Sequence, residues 1–182
     1  AISPAPGAFD SADRFVDAWR ASLEAGYRLL RLRPAHGERV PSELIERVDA
    51  LTREFGARWI ASGELEQCFG WPADGIHLDT RQLMTLDKRP LPEDRLVIAS
   101  CHDLEEIRIA DGLGVDLVTL SPVLQTVSHP DASPMGWDDF ERVVSRSPLP
   151  VMALGGMRPD DWGRARSIGA FGVAGISAFG WR

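Results

Sequence analysis

The sequence predicts one α/β domain over residues 1–182, folded as a compact (β/α)8 TIM barrel. Short apolar runs alternate with amphipathic helical segments, which is the pattern of repeated βα units around a parallel sheet. The apolar runs number eight, and glycine turns follow the last two. A doubly wound open sheet needs no eighth strand, and its glycine fingerprint follows the first strand, whereas nothing of that kind follows Ser3.

The strands are predicted where short apolar runs stand between turn or loop residues. With 182 residues for eight units, the connecting loops are expected to be short. In chain order, the predicted strands are Ala1–Ser3, Tyr27–Arg33, Arg58–Ser62, Gly75–Asp79, Leu96–Cys101, Leu117–Ser121, Val151–Gly155 and Gly172–Ile176.

The helices are predicted from apolar residues that recur at helical spacing. The segment Ser11–Ala25 follows a capping residue, Asp10 or Ser11, and Pro41–Phe55 shows the same periodicity. The apolar residues expected in the core are Phe15, Trp19, Leu23, Leu44, Val48 and Leu51. Shorter helices are predicted at Leu65–Gly70, Arg81–Leu86, Asp103–Leu113, Trp137–Ser145 and Asp160–Ile168.

The amino-acid composition indicates which partners and which cellular compartment to expect. The net charge of −7 and the pI near 5.1 argue against a nucleic-acid surface, and no apolar run approaches the roughly 20 residues of a membrane span. Cys68 and Cys101 have neither metal-ligand spacing nor a secretory leader, so we expect free thiols and a cytoplasmic protein. Because residue 1 is Ala, the chain is expected to be part of a longer polypeptide.

Two glycine turns near the end of the sequence predict an anion site. One turn is Gly155-Gly156 and the other is Gly175-Ile176-Ser177, and each follows a predicted strand. Glycine lets backbone N–H groups approach an oxyanion, and a following helix would favour negative charge through its dipole. Since barrels of this class often bind phosphate in the loops after strands 7 and 8, the expected ligand is a phosphate.

Polar residues at the carboxyl ends of the predicted strands form the expected mouth of the barrel. Arg31 and Arg33 share one face of their strand, and such a pair calls for an anion. Two alternatives stay open: an ion network of the arginines with Asp79 or Glu64, and a purely structural hydrogen bond from His77. The polar residues at these strand ends are Arg31, Arg33, Ser62, His77, Asp79, Ser100, His102 and Ser121.

Four segments resemble one known family over nearly the whole chain. They are residues 73–78 (ADGIHL), 100–106 (SCHDLEE), 120–126 (LSPVLQT) and 150–157 (PVMALGGM). The chain looks like thiamine phosphate synthase and the related thiazole tautomerase. The resemblance implies a barrel that joins a pyrimidine methyl diphosphate to a thiazole phosphate and releases pyrophosphate with the help of Mg2+.

The resemblance also implies roles for individual residues. The thiazole phosphate would lie at Gly156, Ile176 and Ser177, with Thr126 and Ser128 closing over it. Where chemistry occurs, Arg33 would hold an anionic group, Ser100 would position the heterocycle, and His129 would close over the site. Arg31, Ser62 and His77 would contact the substrate.

The diphosphate half of the family's site is poorly matched. The family's Gln, Arg and Lys after strand 2 become Arg31, Arg33 and Ala35, and its lysine after strand 6 becomes His129. The two aspartates that bind magnesium in the family become Gly63 and Gln82. Because Mg2+ is anchored by carboxylates, metal-assisted loss of diphosphate should be severely weakened, and Asp79 is the one substitute carboxylate in view.

Three functions remain open: a synthase that uses Mg2+, a metal-free tautomerase, and a binding or regulatory module. The tautomerase would need His102 or His129, because the family's acid–base histidine is matched by Ser121. The half-degenerate site favours the module, with a phosphorylated small molecule as its ligand. Resemblance further implies a fused Nudix hydrolase domain of the 8-oxo-dGTP-cleaving type. A homodimer is a second expected partnership. The six tryptophans are expected to be packing residues, and the alternative is that Trp71, Trp137 and Trp181, which lie near loops, are interface anchors.

Overall fold

The structure is a computed structural model that describes residues 1–126 and 133–181. The chain divides into two compact units. The first unit comprises Ala1–His77 with Ile176–Arg182, and the second comprises Leu78–Gly175.

In the first unit, strands that are consecutive in the sequence pair with each other, and both pairs are parallel. β1 pairs with β2, placing Leu30 beside Trp59, and β2 pairs with β3, placing Ile60 beside Gly75. The strands are β1 (Leu29–Leu32), β2 (Arg58–Ala61) and β3 (Gly75–Leu78), and the helices are α1 (Ala12–Glu24), α2 (Ser42–Glu54) and α3 (Leu65–Phe69), with a 3-10 turn at Pro6–Ala8.

The second unit repeats the same parallel arrangement. β4 pairs with β5, β5 with β6, and β6 with β7. The strands are β4 (Leu96–Cys101), β5 (Leu117–Leu120), β6 (Val151–Ala153) and β7 (Gly172–Val173), and the helices are α4 (Thr80–Thr85), α5 (Leu104–Leu113), α6 (Gly136–Val144) and α7 (Trp162–Ser167), with a 3-10 turn at Pro159–Asp161.

The predicted core residues are buried, and they join α1 to α2. Trp19 is fully buried and donates from Nε1 to Thr52 Oγ1 at 2.9 Å, while the Thr52 hydroxyl donates to the Val48 carbonyl at 2.7 Å. The indole N–H is therefore satisfied inside an apolar layer, which removes the cost of burying it. The other predicted core residues, all at most 5% exposed, are Phe15, Leu23, Leu44, Val48 and Leu51.

Helix α1 begins where the sequence predicts. Ser11, not Asp10, is the cap: its Oγ accepts a hydrogen bond from Arg14 N at 3.2 Å, satisfying one of the backbone donors at the helix start. The helix ends before Gly26, whose φ of 95° lies in the left-handed region that suits glycine.

Most predicted elements differ from the structure by one or two residues at their ends, and three differ by more or in kind. The first predicted strand, Ala1–Ser3, is a single parallel bridge from Ile2 to Arg31, because only the backbone of these few residues reaches β1. The last strand ends at Val173 instead of Ile176, although Ala174 N still donates to the Ala153 carbonyl at 2.8 Å. The helix predicted at residues 160–168 is a 3-10 turn followed by the six-residue α7.

Several predictions about single residues are also settled. Cys68 and Cys101 are free, buried thiols, as expected. Trp71 is 9% exposed and packs against Trp59 with ring centroids 6.3 Å apart, so it is the packing residue that was expected and the alternative of an interface anchor is not supported there. None of the helices in the part of the chain that the structure describes is long and apolar enough to cross a membrane.

Candidate functional site

Arg31 lies at the centre of a polar cluster in the first unit. Its Nε donates to Ser62 Oγ at 3.1 Å, and its Nη1 lies 3.2 Å from His77 Nε2. The Ser62 hydroxyl in turn donates to the Leu32 carbonyl at 2.8 Å, so it must accept from Arg31. The fold therefore brings together three of the predicted substrate-binding residues, one from each of β1, β3 and the loop after β2.

The contact with Arg31 defines the protonation of His77. A guanidinium can only donate hydrogen bonds, so Nε2 of His77 must accept, and the ring is neutral with its proton on Nδ1. His77 is 3% exposed. The partner of His77 is thus a candidate ligand-binding arginine on β1, which is separated from β3 by β2, and the predicted hydrogen bond from His77 to a neighbouring strand stays a prediction.

Arg33 follows β1 directly, since that strand ends at Leu32. The Arg33 side chain is half-buried, and only its backbone N–H has a bond that the structure gives, to Ser3 Oγ at 3.1 Å. Glu64, one expected ionic partner, instead lies 3.9 Å from Nδ1 of the exposed His36.

Cys68 lies near this cluster and is electrostatically coupled to it. Burial, together with the Glu64 charge, raises the pKa of the Cys68 thiol to about 11, while the Arg31 charge opposes this rise. A thiol with this pKa is protonated at neutral pH and is a poor nucleophile. The cluster therefore offers a ligand the Arg31 guanidinium, which hydrogen bonds hold in place, and offers no thiolate nucleophile.

His102 lies at the start of α5 in the second unit, and it is exposed. Its Nδ1 lies 2.7 Å from the Ser121 carbonyl, which can only accept, so Nδ1 carries the proton and Nε2 is the basic nitrogen. Its backbone N–H donates to Glu106 Oε2 at 2.6 Å. The neutral form of this imidazole is thus the tautomer whose lone pair is on Nε2.

Ser100 lies on β4, two residues before His102. The backbone carbonyl of Ser100 accepts a hydrogen bond. Thr80 Oγ1 donates to that carbonyl at 3.4 Å, a long hydrogen bond. The Ser100 residue is half-buried. Its predicted role in positioning a heterocycle stays a prediction.

The Gly155-Gly156 turn packs tightly against the segment that follows β5. A Cβ on Gly155 would lie 2.8 Å from Pro122 Cα, and one on Gly156 would lie 2.5 Å from the Gln125 carbonyl oxygen. Both residues have positive φ, at 91° and 67°. Glycine is therefore required here by the backbone conformation and by the neighbouring chain segment, independently of any ligand.

The helix dipoles expected behind the two glycine turns are not present as predicted. The chain after Gly156 forms a 3-10 turn before the six-residue α7, and the chain after Ile176 closes a turn in which Phe179 N donates to the Ile176 carbonyl at 3.2 Å. The N–H groups of Gly155 and Gly156 have no hydrogen-bond acceptor among residues 1–126 and 133–181. An anion at this turn would thus depend on backbone N–H groups alone.

The family of the chain follows from a comparison with known protein families. The family model described as thiamine monophosphate synthase matches residues 5–179. The chain belongs to the thiamine monophosphate synthase family. This membership agrees with the resemblance carried by residues 73–78, 100–106, 120–126 and 150–157.

Individual relatives agree with this membership. A protein of Aquifex aeolicus provisionally named thiamine-phosphate synthase 2 is 31% identical over 168 residues, which are 92% of this chain and 90% of that protein. The thiamine biosynthesis bifunctional protein ThiM/ThiE of Symbiobacterium thermophilum is 34% identical over 88% of this chain. The chain spans only 34% of the length of that bifunctional relative.

A solved structure confirms the fold class. Thiamine phosphate pyrophosphorylase from Pyrococcus furiosus is similar with a TM-score of 0.77 and 24% identity, over 98% of this chain and 85% of that one. The N-acetylmannosamine-6-phosphate 2-epimerase from Clostridium perfringens is similar with a TM-score of 0.69 at 16% identity, over 99% and 86% of the two chains. These likenesses show the predicted barrel fold.

The magnesium ion that the family implies does not fit the residues at the two matching positions. Gly63 has no side chain, and its φ of 126° disfavours a larger residue. The Gln82 side chain turns back on the start of α4, where its Oε1 accepts from Asp79 N at 3.0 Å while Asp79 Oδ1 accepts from Gln82 N at 2.7 Å. Asp79, the substitute carboxylate, is thus the N-cap of α4 in a complete capping box.

Two of the predicted site residues, Ser128 and His129, lie outside the described residues. Thr126 is described and half-buried. Gly175 belongs to the second unit, whereas Ile176 and Ser177 belong to the first, and the roles of all three in phosphate binding stay predictions.

Glu106 is a site residue that sequence reasoning missed. Asp103 Oδ1 caps α5 by accepting from Glu106 N at 2.9 Å, and the Glu106 carboxylate holds the backbone of His102. The signal was present, because an aspartate followed three residues later by a glutamate is the pattern of a capping box.

Proposed function

We propose that this chain binds a phosphorylated small molecule of the thiazole phosphate or thiamine phosphate type without carrying out the metal-assisted joining reaction. The observation that carries the proposal is the capping box at α4, in which Asp79 and Gln82 are committed to each other. A carboxylate used as a helix cap, an amide facing the backbone and a glycine are a poor donor set for a cation that prefers carboxylates.

Ligand binding is supported separately by the groups that remain available. Arg33 is half-buried and lies one residue beyond the end of β1, the strand that carries Arg31. The Gly155-Gly156 turn offers backbone N–H groups with no acceptor in the described part of the chain. Guanidinium and backbone N–H groups bind phosphoryl oxygens. The chain would therefore keep the ability to bind a phosphorylated ligand and lack the metal-assisted reaction.

The proposal is tested by titration calorimetry with thiazole phosphate, thiamine phosphate and pyrophosphate, each with Mg2+ and with EDTA. We expect thiazole phosphate or thiamine phosphate to bind equally well in both buffers. Ser177→Ala should weaken this binding about 5- to 10-fold, since a hydrogen bond to a charged group is lost. Ser167→Ala is the control, because its exposed hydroxyl only donates to the Arg164 carbonyl.

Turnover is measured alongside binding. The chain is incubated with pyrimidine methyl diphosphate, thiazole phosphate and Mg2+, and formation of thiamine phosphate is followed next to an active synthase of the family. We expect no product above background. Metal-dependent turnover would establish the synthase alternative and overturn the binding module.

His102 supports a second candidate function, a metal-free isomerase of a phosphorylated thiazole. Its Nδ1 is held by the Ser121 carbonyl, which leaves Nε2 as an exposed base. A neutral imidazole in a fixed tautomer is suited to moving a proton near neutral pH. His102→Gln should abolish isomerisation of a thiazole carboxylate phosphate while leaving its binding unchanged; activity that survives loss of both His102 and His129 contradicts this function.

The proposed partnerships follow from resemblance. The bifunctional relative supports the general idea that barrels of this family occur fused to other domains. The fused Nudix hydrolase domain and the homodimer stay predictions, with Trp137 and Trp181 the two remaining candidates for interface anchors.

A further inference from the structure

Residues 178–181 pack against helix α1 and the turn that follows it, within the first unit. Phe179 is 2% exposed and lies against Tyr27, with ring centroids 5.7 Å apart. Trp181 lies against Trp19, with ring centroids 5.6 Å apart, and Trp19 is itself fully buried and bonded to α2. Two aromatic contacts thus join this segment to the helical core of the unit.

Gly180 connects the two aromatic residues of the segment. Its φ of 89° lies in the left-handed region, and a Cβ there would lie 3.6 Å from both Ser22 Oγ and Tyr27 Cε2. Ser22 is fully buried. Glycine therefore allows the chain to turn between Phe179 and Trp181 while it stays in contact with α1.

Two buried polar groups of this interface lack a hydrogen bond. Ser22 Oγ and Trp181 Nε1 have no partner among residues 1–126 and 133–181. A hydroxyl oxygen can accept, whereas an indole N–H can only donate, so the two groups are complementary. Leaving both unpaired is unfavourable, because native structures satisfy nearly all buried polar groups. A closer approach of residues 178–181 to α1 would pair them.

The turn that precedes this segment contains two of the predicted phosphate-binding residues. Phe179 N donates to the Ile176 carbonyl at 3.2 Å, which closes a turn around Ser177 and Ala178. Ser177 is exposed, whereas Phe179 is buried. The position of Ser177 therefore depends on how firmly Phe179 is held by its neighbours.

We propose that Phe179 and Trp181 are positioning residues for the phosphate of the ligand. They dock residues 178–181 on α1, and a ligand at Ser177 completes this docking with a hydrogen bond from Trp181 Nε1 to Ser22 Oγ. Because the ligand favours the docked arrangement, the new bond contributes to its affinity. The inference rests on the proposed function in that Ser177 contacts a phosphorylated ligand.

The first experiment tests the Phe179 anchor by calorimetry of the whole chain with thiazole phosphate. Phe179→Ala removes the ring, and Phe179→Leu keeps an apolar anchor. Phe69→Ala is the matched control, because Phe69 is an exposed phenylalanine at the end of α3 in the same unit. We expect Phe179→Ala to weaken binding about 5- to 20-fold, Phe179→Leu to recover most of the affinity, and the control to bind like the wild type.

The second experiment tests the hydrogen bond and separates positioning from mere stabilisation. Ser22→Ala and Trp181→Phe each remove one partner of the bond. Since the Ser22 hydroxyl has no partner in the described part of the chain, Ser22→Ala should leave the urea midpoint unchanged or raise it. Each variant should nevertheless weaken binding of thiazole phosphate about 3- to 10-fold. The double variant should bind no worse than either single variant, because one bond accounts for both losses.

The outcomes separate this inference from the proposed function. If the wild type binds thiazole phosphate but Phe179→Ala binds like Phe69→Ala, or Ser22→Ala binds like the wild type, the positioning role is overturned and the proposed function stands. If Phe179→Ala does not fold, Ser22→Ala decides, since it removes only a hydroxyl group. If the wild type binds neither thiazole phosphate nor thiamine phosphate, the proposed function fails and this inference fails with it.

Discussion

Nη1 of Arg31 and Nε2 of His77 are joined by a 3.2 Å hydrogen bond that links β1 to β3 in the first unit. The bond requires a neutral imidazole, because the arginine is always the donor. His77 is thus a positioning residue that acts on a ligand through Arg31. Replacing His77 should therefore lower the affinity for an anionic ligand, even though the neutral imidazole carries no charge.

Replacing His77 separates its role as an acceptor from its bulk. His77→Leu removes the acceptor, so Arg31 loses part of its orientation and the affinity for thiazole phosphate or thiamine phosphate should fall about 3- to 10-fold. His77→Gln offers an amide oxygen at a similar reach and should recover most of the affinity. Calorimetry in EDTA measures both; equal losses in the two variants would show that acceptance from Arg31 is not what matters.

The Gly155-Gly156 turn should tolerate no side chain. Gly156→Ala places a methyl group 2.5 Å from the Gln125 carbonyl oxygen and adds strain at positive φ, so we expect a loss of about 3 kcal/mol in the free energy of unfolding. Gly112→Ala is the control: it lies in α5 with nothing within 4 Å of a new Cβ and should gain about 0.5 to 1 kcal/mol. Urea unfolding measures both, and a neutral Gly156→Ala contradicts the packing.

Asp79 should behave as a helix cap. Asp79→Ala removes the acceptor for Gln82 N and should cost about 1 kcal/mol, whereas Asp79→Asn keeps a capping oxygen and should cost less. Neither variant should change the effect of Mg2+ on pyrophosphate binding. A loss of Mg2+-dependent binding in Asp79→Asn would instead identify this carboxylate as a metal ligand.

Burial should make Cys68 contribute to stability in a pH-dependent way. Its pKa rises from an ordinary 9.0 to about 11, so above pH 9.0 the unfolded chain loses a proton that the native chain keeps. The contribution is complete below pH 9.0 and is lost as the pH rises through about 11. Urea unfolding of Cys68→Ala across this range should show a smaller decline than the wild type, and an identical decline would contradict it.

Much of the fold was predictable because it depends on local pattern. The periodicity that placed Phe15 and Trp19 in one helical face also placed them in the core, and β4 begins and ends at its predicted residues. Ala1–Ser3 was overestimated, because an apolar triplet does not reveal how much of it reaches a partner strand. The six-residue α7 likewise shows that a periodic segment can be divided by a 3-10 turn.

The site was less predictable because its bonds join residues distant in sequence. The sequence put Arg31, Ser62 and His77 at strand ends, yet the donation from Arg31 to both partners depends on register between strands. The glycines after β6 were interpreted as an approach to a ligand, whereas the structure shows an approach to residues 122–125. A glycine motif alone does not distinguish these two neighbours, since both demand the absence of a Cβ.

The first three residues of the chain protect the backbone of the arginine strand. Arg31 N donates to the Ala1 carbonyl at 2.8 Å, and Arg33 N donates to Ser3 Oγ at 3.1 Å. Without these partners, one side of β1 would present open donors to any extended peptide. The amide exchange rates of Arg31 and Arg33 therefore report whether this segment is docked, and a fusion at residue 1 that lifts it away would loosen both arginines at once.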